Sequence, residues 1–280
     1  MESKLLKRTY INRETGEVFT KDQIIEITEL IDSKNKFKSI KNTNDFINDN
    51  LGYYFHLLYG DILKLDLEPQ MLIRFLKLCS YSNYENILVT GETKSQRKIK
   101  EKELEDILKL SRADYFRTKK YLLTNNLISI EKDFIKIDTR FIQRGKLKGD
   151  IKSMEITRIF NKGIQELYDN VKPTQHKKLA LFIKILPYIN IKYNVISNNI
   201  ISDNFDDSRP MTSVEVANIC GYEKASRFIK DLLSLKINNM FAIVRVTRGD
   251  RDFLIVNPKI YYKGNNIEDL KYIMNYFDYK

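Results

Sequence analysis

Two stretches place cations at helical spacing on a face that carries few apolar residues: Arg117 and Lys120 in SRADYFRTKKYLLTNN, and Arg227 and Lys230 in EKASRFIKDLLSL. An arginine on an exposed helix can bridge the O6 and N7 acceptors of guanine, whereas lysines and loop arginines mostly neutralise phosphate and carry no sequence information. At 100° per residue, Ala225, Phe228, Ile229 and Leu232 gather on one side of the second stretch, with Glu223, Arg227, Lys230 and Ser234 opposite. In the first stretch Tyr115, Thr118 and Leu122 face inward, and Ala113, Arg117, Lys120 and Thr124 face outward, with Arg112 at the helix start. Lys119 stands where an inward Leu is expected, which requires either a snorkelling stem or a register one residue away. The candidate DNA contacts are therefore Arg112, Arg117, Lys119, Lys120 and Thr124 in the first stretch, and Lys224, Arg227 and Lys230 in the second. Arg245, Arg248 and Arg251, in a basic hairpin, join Arg144, Lys146, Lys148 and Lys152, in a linker, as expected phosphate contacts.

Covalent chemistry finds little support. His56 and His176 are isolated, so the His-hydrophobic-His pair of a metal-dependent nickase is missing. No GxxxxGK[ST] occurs, and GKLKG at Gly145 lacks both the spacing and the hydroxyl of a phosphate-binding loop. Asp203, Asp206 and Asp207 lie in a polar Asn/Ser-rich run and read as solvated loop acids rather than metal ligands. The 17 Tyr are spread through apolar helices, as packing residues would be. No enzyme, cofactor or metal is expected. The 280 residues carry 48 Lys plus Arg against 37 Asp plus Glu, a net +11 that favours a polyanionic partner. Cys79 and Cys220 sit in apolar stretches without CxxC spacing and read as free, buried thiols in a reducing compartment. With no apolar leader at the N-terminus and no apolar run long enough to span a bilayer, the expected location is the cytoplasm.

The elements that must position these cations emerge from an internal repeat. Phe134–Gly145 (FIKIDTRFIQRG) aligns with Phe253–Gly264 (FLIVNPKIYYKG), and Leu72–Asn83 (LIRFLKLCSYSN) with Leu179–Asn190 (LALFIKILPYIN). The second copy is longer by a polar insertion around Asn198–Arg209. Within the first copy the pattern predicts an apolar helix near Leu72–Cys79, an amphipathic helix over KELEDILKL and a third capped by Ser111. An alternating hairpin follows over LISIEKDFIKIDTRF. The second repeats it with an apolar helix to Ile189, SVEVANIC, Glu223–Leu235 and a longer hairpin turning at Arg248-Gly249-Asp250-Arg251. Two amphipathic helices joined by a short turn and followed by a hairpin make a winged helix. The expected fold is α+β, mainly α: two tandem winged-helix domains (helix-turn-helix plus β-hairpin), 69–150 and 151–280, behind a small N-terminal appendage, 1–68. In that appendage the pattern predicts a hairpin turning at Glu14–Glu17, an amphipathic helix over Lys21–Ile31 and a longer apolar helix over Asp45–Leu65.

SYSNYENILV (Ser80–Val89), the helix pair around Ser111 and above all FLIVNPKIYYKG (Phe253–Gly264) resemble segments of replication initiator proteins of Gram-positive plasmids and related phages. Asn257, Pro258, Tyr261, Tyr262, Lys263 and Gly264 match the run in which that family's wing strand enters an Asn-Pro, aromatic and basic-Gly sequence. The first copy departs from it with Asp138-Thr139. Gly221 keeps the family's glycine between the two helices, whereas Lys109 or Leu110 stands there in the first copy. The resemblance implies binding of repeated double-stranded origin DNA, a homodimer and recruitment of a host replication protein; no membrane partner is expected, because no apolar run is long enough to span a bilayer. Two other readings stay open: a plasmid or phage transcriptional regulator (repressor) bound to an operator as a dimer, and an adaptor that touches no DNA.

Overall fold

The computed structural model describes residues 9–11, 18–91, 95–132, 134–145, 147 and 155–278. The chain divides into two compact units, Met1–Ile47 and Asn48–Lys280, so residues 48–68 of the expected appendage belong to the larger one. The smaller unit holds β1 (Thr9–Ile11) paired antiparallel with β2 (Val18–Thr20), Tyr10 opposite Phe19, and most of helix α1 (Lys21–Leu51). The expected turn at Glu14–Glu17 lies mainly outside the described residues.

The expected helix over Asp45–Leu65 is not one element. α1 ends at Leu51, Gly52 takes φ +83°, and strand β3 (Tyr54–Leu58) follows before the short helix α2 (Tyr59–Lys64). The run YFHLL is apolar enough for either conformation, and the glycine that breaks the helix lets the chain enter a sheet instead.

The remaining elements come in two series. The first continues with α3 (Pro69–Cys79), β4 (Val89–Thr90), β5 (Arg97–Lys98), α4 (Leu104–Leu108), α5 (Arg112–Thr124), β6 (Ile128–Glu131), β7 (Phe134–Ile137) and β8 (Ile142–Gln143). The second has β9 (Ile156–Phe160), α6 (Asn161–Asp169), α7 (His176–Leu179), α8 (Leu181–Ile185), α9 (Ser213–Ile219) and α10 (Ala225–Leu233). It then runs through β10 (Lys236–Ile237), β11 (Met240–Phe241), β12 (Ile243–Arg248), β13 (Arg251–Val256) and α11 (Ile267–Asp278). The fold is mixed α+β, with more helix than strand, and among the described residues no helix is long and apolar enough to cross a membrane.

The sheet at the centre of the larger unit runs β8-β3-β9. β3 and β9 are antiparallel, with Tyr54 opposite Phe160, His56 opposite Arg158 and Leu58 opposite Ile156. Exchanging the two copies therefore maps this ladder onto itself about the His56–Arg158 pair. The neighbouring pairs obey the same exchange: Leu57 meets Ile142 in one copy as Ile159 meets Tyr261 in the other. The two copies are thus joined back to back by an approximate two-fold axis. Arg158 lies at that axis, 7% exposed, between the rings of Tyr54 and Tyr262 at 5.5 and 5.7 Å, and donates to the carbonyls of Lys263 and Gly264.

Several shared residues serve this frame. Asn83 Oδ1 accepts from the amides of Glu85 and Ile87, and Asn190 Oδ1 from those of Lys192 and Tyr193. Asn86 and Asn194, both at positive φ and both buried, donate to the carbonyls of Ile142 and Tyr261 respectively. Asp138 and Asn257 each accept an amide two residues on, from Arg140 and Lys259. Much of the sequence that carries the repeat therefore builds turns, in which short polar side chains take up backbone groups.

Candidate nucleic-acid interface

In the first copy α4 and α5 meet through a tight turn whose corner is Lys109, at φ 50° and ψ 42°. A lysine there does the work that Gly221, at φ +78°, does between α9 and α10. The Ser111 hydroxyl accepts from the Asp114 amide and caps α5, as expected of the residue that starts that helix. On α5 the buried residues are Tyr115, Thr118 and Leu122. Thr118 earns its core position by accepting a 2.7 Å hydrogen bond from the buried Arg74. Arg112, Arg117, Lys120 and Thr124 are exposed. Arg117 is not free, since its guanidinium lies 2.9 Å from the Glu68 carboxylate. Lys119 is half-buried, its stem passing the core edge to put Nζ 2.6 Å from Glu101 and over the rings of Tyr115 and Phe116. Snorkelling, rather than a shifted register, resolves its position.

In the second copy the Thr212–Glu215 capping box starts α9, and α10 buries Phe228 and Leu232 while exposing Lys224, Arg227 and Lys230. Neither Arg227 nor Lys230 forms an ion pair among the described residues. The hairpin β12–β13 turns at Gly249, φ +62°, and Arg245, Arg248 and Arg251 are all exposed on it. Arg245 is held 2.7 Å from Asp252, which also accepts from the Ser213 hydroxyl on α9. Against the cost of burial, these two donors hold the Asp252 carboxyl below its ordinary range and tie the hairpin to the helix pair. Arg248 lies over the Phe205 ring, 3.6 Å from Asp206, with both members of the pair largely exposed.

The linker set needs correction. Arg144 is not a surface cation: its guanidinium donates to Ser82 Oγ, to the carbonyls of Tyr54, Cys79 and Ser80, and to Asn161 Oδ1. Burial lowers its pKa to about 10, which still leaves it charged at neutral pH, and it stitches the first copy to the second. The aligned sequence block could not reveal this, because its acceptors come from three distant segments. Lys146, Lys148 and Lys152 lie outside the described residues.

Other chemistry-bearing residues sit in the interior. Burial, with Arg158 beside it, lowers the pKa of His56 to about 4, and burial with Arg74 does the same to His176. Cys79 and Cys220 are buried and unbridged, and burial pushes the Cys220 thiol up to about 11. Among the described residues no group of three His, Cys, Asp or Glu could hold a metal ion.

Sequence reasoning missed a cleft of about 620 Å³ beside α10, into which Lys177, Lys184, Lys224 and Arg227 converge. Its only sequence signal is the repeat itself, which pairs Lys184 with Lys77. No protein-family model, curated protein or solved structure matches this chain.

Proposed function

We propose that this chain is a sequence-specific double-stranded DNA-binding protein made of two winged helices, and that it acts as a replication initiator of a plasmid or phage. In this reading α9–α10 and α4–α5 are the helix-turn-helix pairs, and β12–β13 and β6–β7 are the wings. The observation that carries it is the second copy's exposed cation face. Among the described residues Arg227 and Lys230 form no ion pair, on a helix whose other face is core, next to a hairpin that exposes three arginines. Arg227 would read a base edge, while Lys224, Lys230, Arg248 and Arg251 would contact phosphates and Arg245 would fix the wing.

The first copy contributes Arg112, Lys120 and Thr124, with Arg117 restrained by Glu68. The approximate two-fold axis within the chain supports binding to two related half-sites by a single molecule, where a one-domain regulator needs a dimer. The initiator reading is therefore placed ahead of the dimeric repressor.

The test is fluorescence polarisation with duplex DNA from the protein's own locus and with a scrambled duplex, from about 50 to 200 mM salt. Six to ten phosphate contacts weaken binding by roughly 10³ to 10⁵ over that range. Preference for the native duplex, with a steep salt slope, is the expected result. Weak binding to both duplexes without salt dependence would sink the reading.

A further inference from the structure

The cleft beside α10 has a counterpart in the first copy, and that counterpart is filled by the chain itself. α6 follows β9 as α2 follows β3, but α6 has nine residues and α2 six. The extra turn carries the C-terminal end of α6 onto the first copy's helix pair. Asp169 sits there between two ammonium groups, 2.9 Å from Lys77 and 3.2 Å from Lys109. The Tyr168 hydroxyl donates to the carbonyl of Leu108, 2.8 Å away, and Gln165 Nε2 donates to Ser80 Oγ. Tyr168 is buried, and the space left beside it is about 240 Å³.

In the second copy the same seat is open. Lys184 occupies the place of Lys77, and Gly221 occupies that of Lys109. Among the described residues no tyrosine bonds the carbonyl of Cys220, which corresponds to that of Leu108. The exposed Lys184 ammonium bonds to it instead, at 3.2 Å. α2 ends at Lys64, and of the segment after it only Pro69 reaches the cleft wall. Lys178 is neutralised by Asp231 at 2.6 Å, which leaves Lys177, Lys184, Lys224 and Arg227 facing one remaining acid, Glu223.

We infer that this cleft is the docking site for the C-terminal turn of a partner protein's helix, one that ends in a tyrosine-aspartate pair as α6 does. The carboxylate would take Lys184 as Asp169 takes Lys77, and the tyrosine hydroxyl would take the Cys220 carbonyl that Lys184 now covers. A helix C-terminus is normally a poor neighbour for aspartate, and the surrounding cations offset that cost. The Tyr168–Asp169 pair of a second copy of this chain is not the occupant. That pair is engaged internally, and at the end of α11 Phe277 is buried in its own unit. The cleft shares Lys224 and Arg227 with the DNA reading, and Lys184, on α8 and off the exposed face of α10, is the cation that separates the two.

The probe is a fluorescein-labelled, lactam-stapled peptide with the sequence Asn161–Asn170, titrated with the full chain. The first copy's seat is already filled, so saturable binding reports the second. Lys184→Ala in the protein, and Asn in place of the peptide's Asp, are each expected to weaken binding about tenfold, the loss of one charge-assisted contact. Lys184 is exposed, so the variant keeps its fold, which circular dichroism verifies. Absence of saturation at about 1 mM peptide, or saturation that ignores both changes, overturns the inference. So does a Lys184→Ala variant that loses affinity for duplex DNA but not for the peptide, since the cleft would then be a phosphate seat.

Discussion

The two copies hold equivalent side chains in different company. Arg117 and Arg227 stand at matching places on the second helix of each pair, yet Arg117 is tied to Glu68 and Arg227 has no ion-pair partner among the described residues. Lys77 is 1% exposed and clamped by Asp169, whereas Lys184 is exposed over an open cleft. In the first copy Lys77 is turned inward onto α6 of the second, whereas its counterpart Lys184 stays exposed. The repeat supplies the positions, and the asymmetry around them pairs the cations of one copy and leaves those of the other exposed.

The largest expected effect tests the buried pair. Asp169→Ala leaves the Lys77 ammonium buried without its carboxylate and should cost about 3–5 kcal/mol in urea unfolding, whereas Lys184→Ala should stay within about 0.5 kcal/mol. Equal costs would mean that the copies are not divided in this way.

Acid should act next. In the unfolded chain an imidazole titrates near 6.5, but in the fold burial and the adjacent Arg74 lower His176 to about 4, with His56 lowered alike by burial and Arg158. Between those values the unfolded chain binds more protons than the native one. The stability these neutral imidazoles contribute is complete above pH 6.5 and is lost as pH falls towards about 4. For the fully buried His176 the loss amounts to about 3 kcal/mol. Both histidines line the junction of the copies, so thermal melts from pH 7 to 4 should show a single cooperative transition moving down. A transition that splits would show that the copies unfold independently.

DNA affinity sharpens the contrast at smaller scale. Arg227→Ala with Lys230→Ala should weaken binding to the native duplex by about 1–3 kcal/mol, and Arg117→Ala with Lys120→Ala by well under half of that. Glu68→Gln, which releases Arg117, should raise the first copy's share. The opposite ranking in fluorescence polarisation would make the first copy the reader.

The smallest effect concerns the turns. Gly221→Ala should cost about 1 kcal/mol, because a side chain at positive φ is strained. Lys109→Gly relieves the same strain but removes a partly exposed pair with Asp169, so its unfolding midpoint should move little.

Local patterning made the helix pairs legible. The period of Tyr115, Thr118 and Leu122, and of Phe228 and Leu232, is a property of neighbouring residues, and it placed the inward faces and the exposed cations correctly. The repeat was legible too, although many of its shared residues, such as Asn83, Asn190, Asp138 and Asn257, turned out to close turns. YFHLL read as helix because five apolar or aromatic residues carry no period of their own, and only pairing with ITRIF, about a hundred residues away, makes them a strand.

Composition, periodicity and self-similarity by themselves pointed to an α+β chain with an internal repeat and a surplus of positive charge. They also placed the polar faces of its helices. Tertiary structure alone decided which of those cations are paired, because the carboxylates and carbonyls that hold them come from distant segments. Arg144, Lys77 and Arg117 look like surface cations in sequence and are taken up by such partners. Arg227 and Lys230 look the same, and the fold leaves them exposed and without ion-pair partners among the described residues, while the exposed Lys184 bonds to a carbonyl and to no carboxylate there.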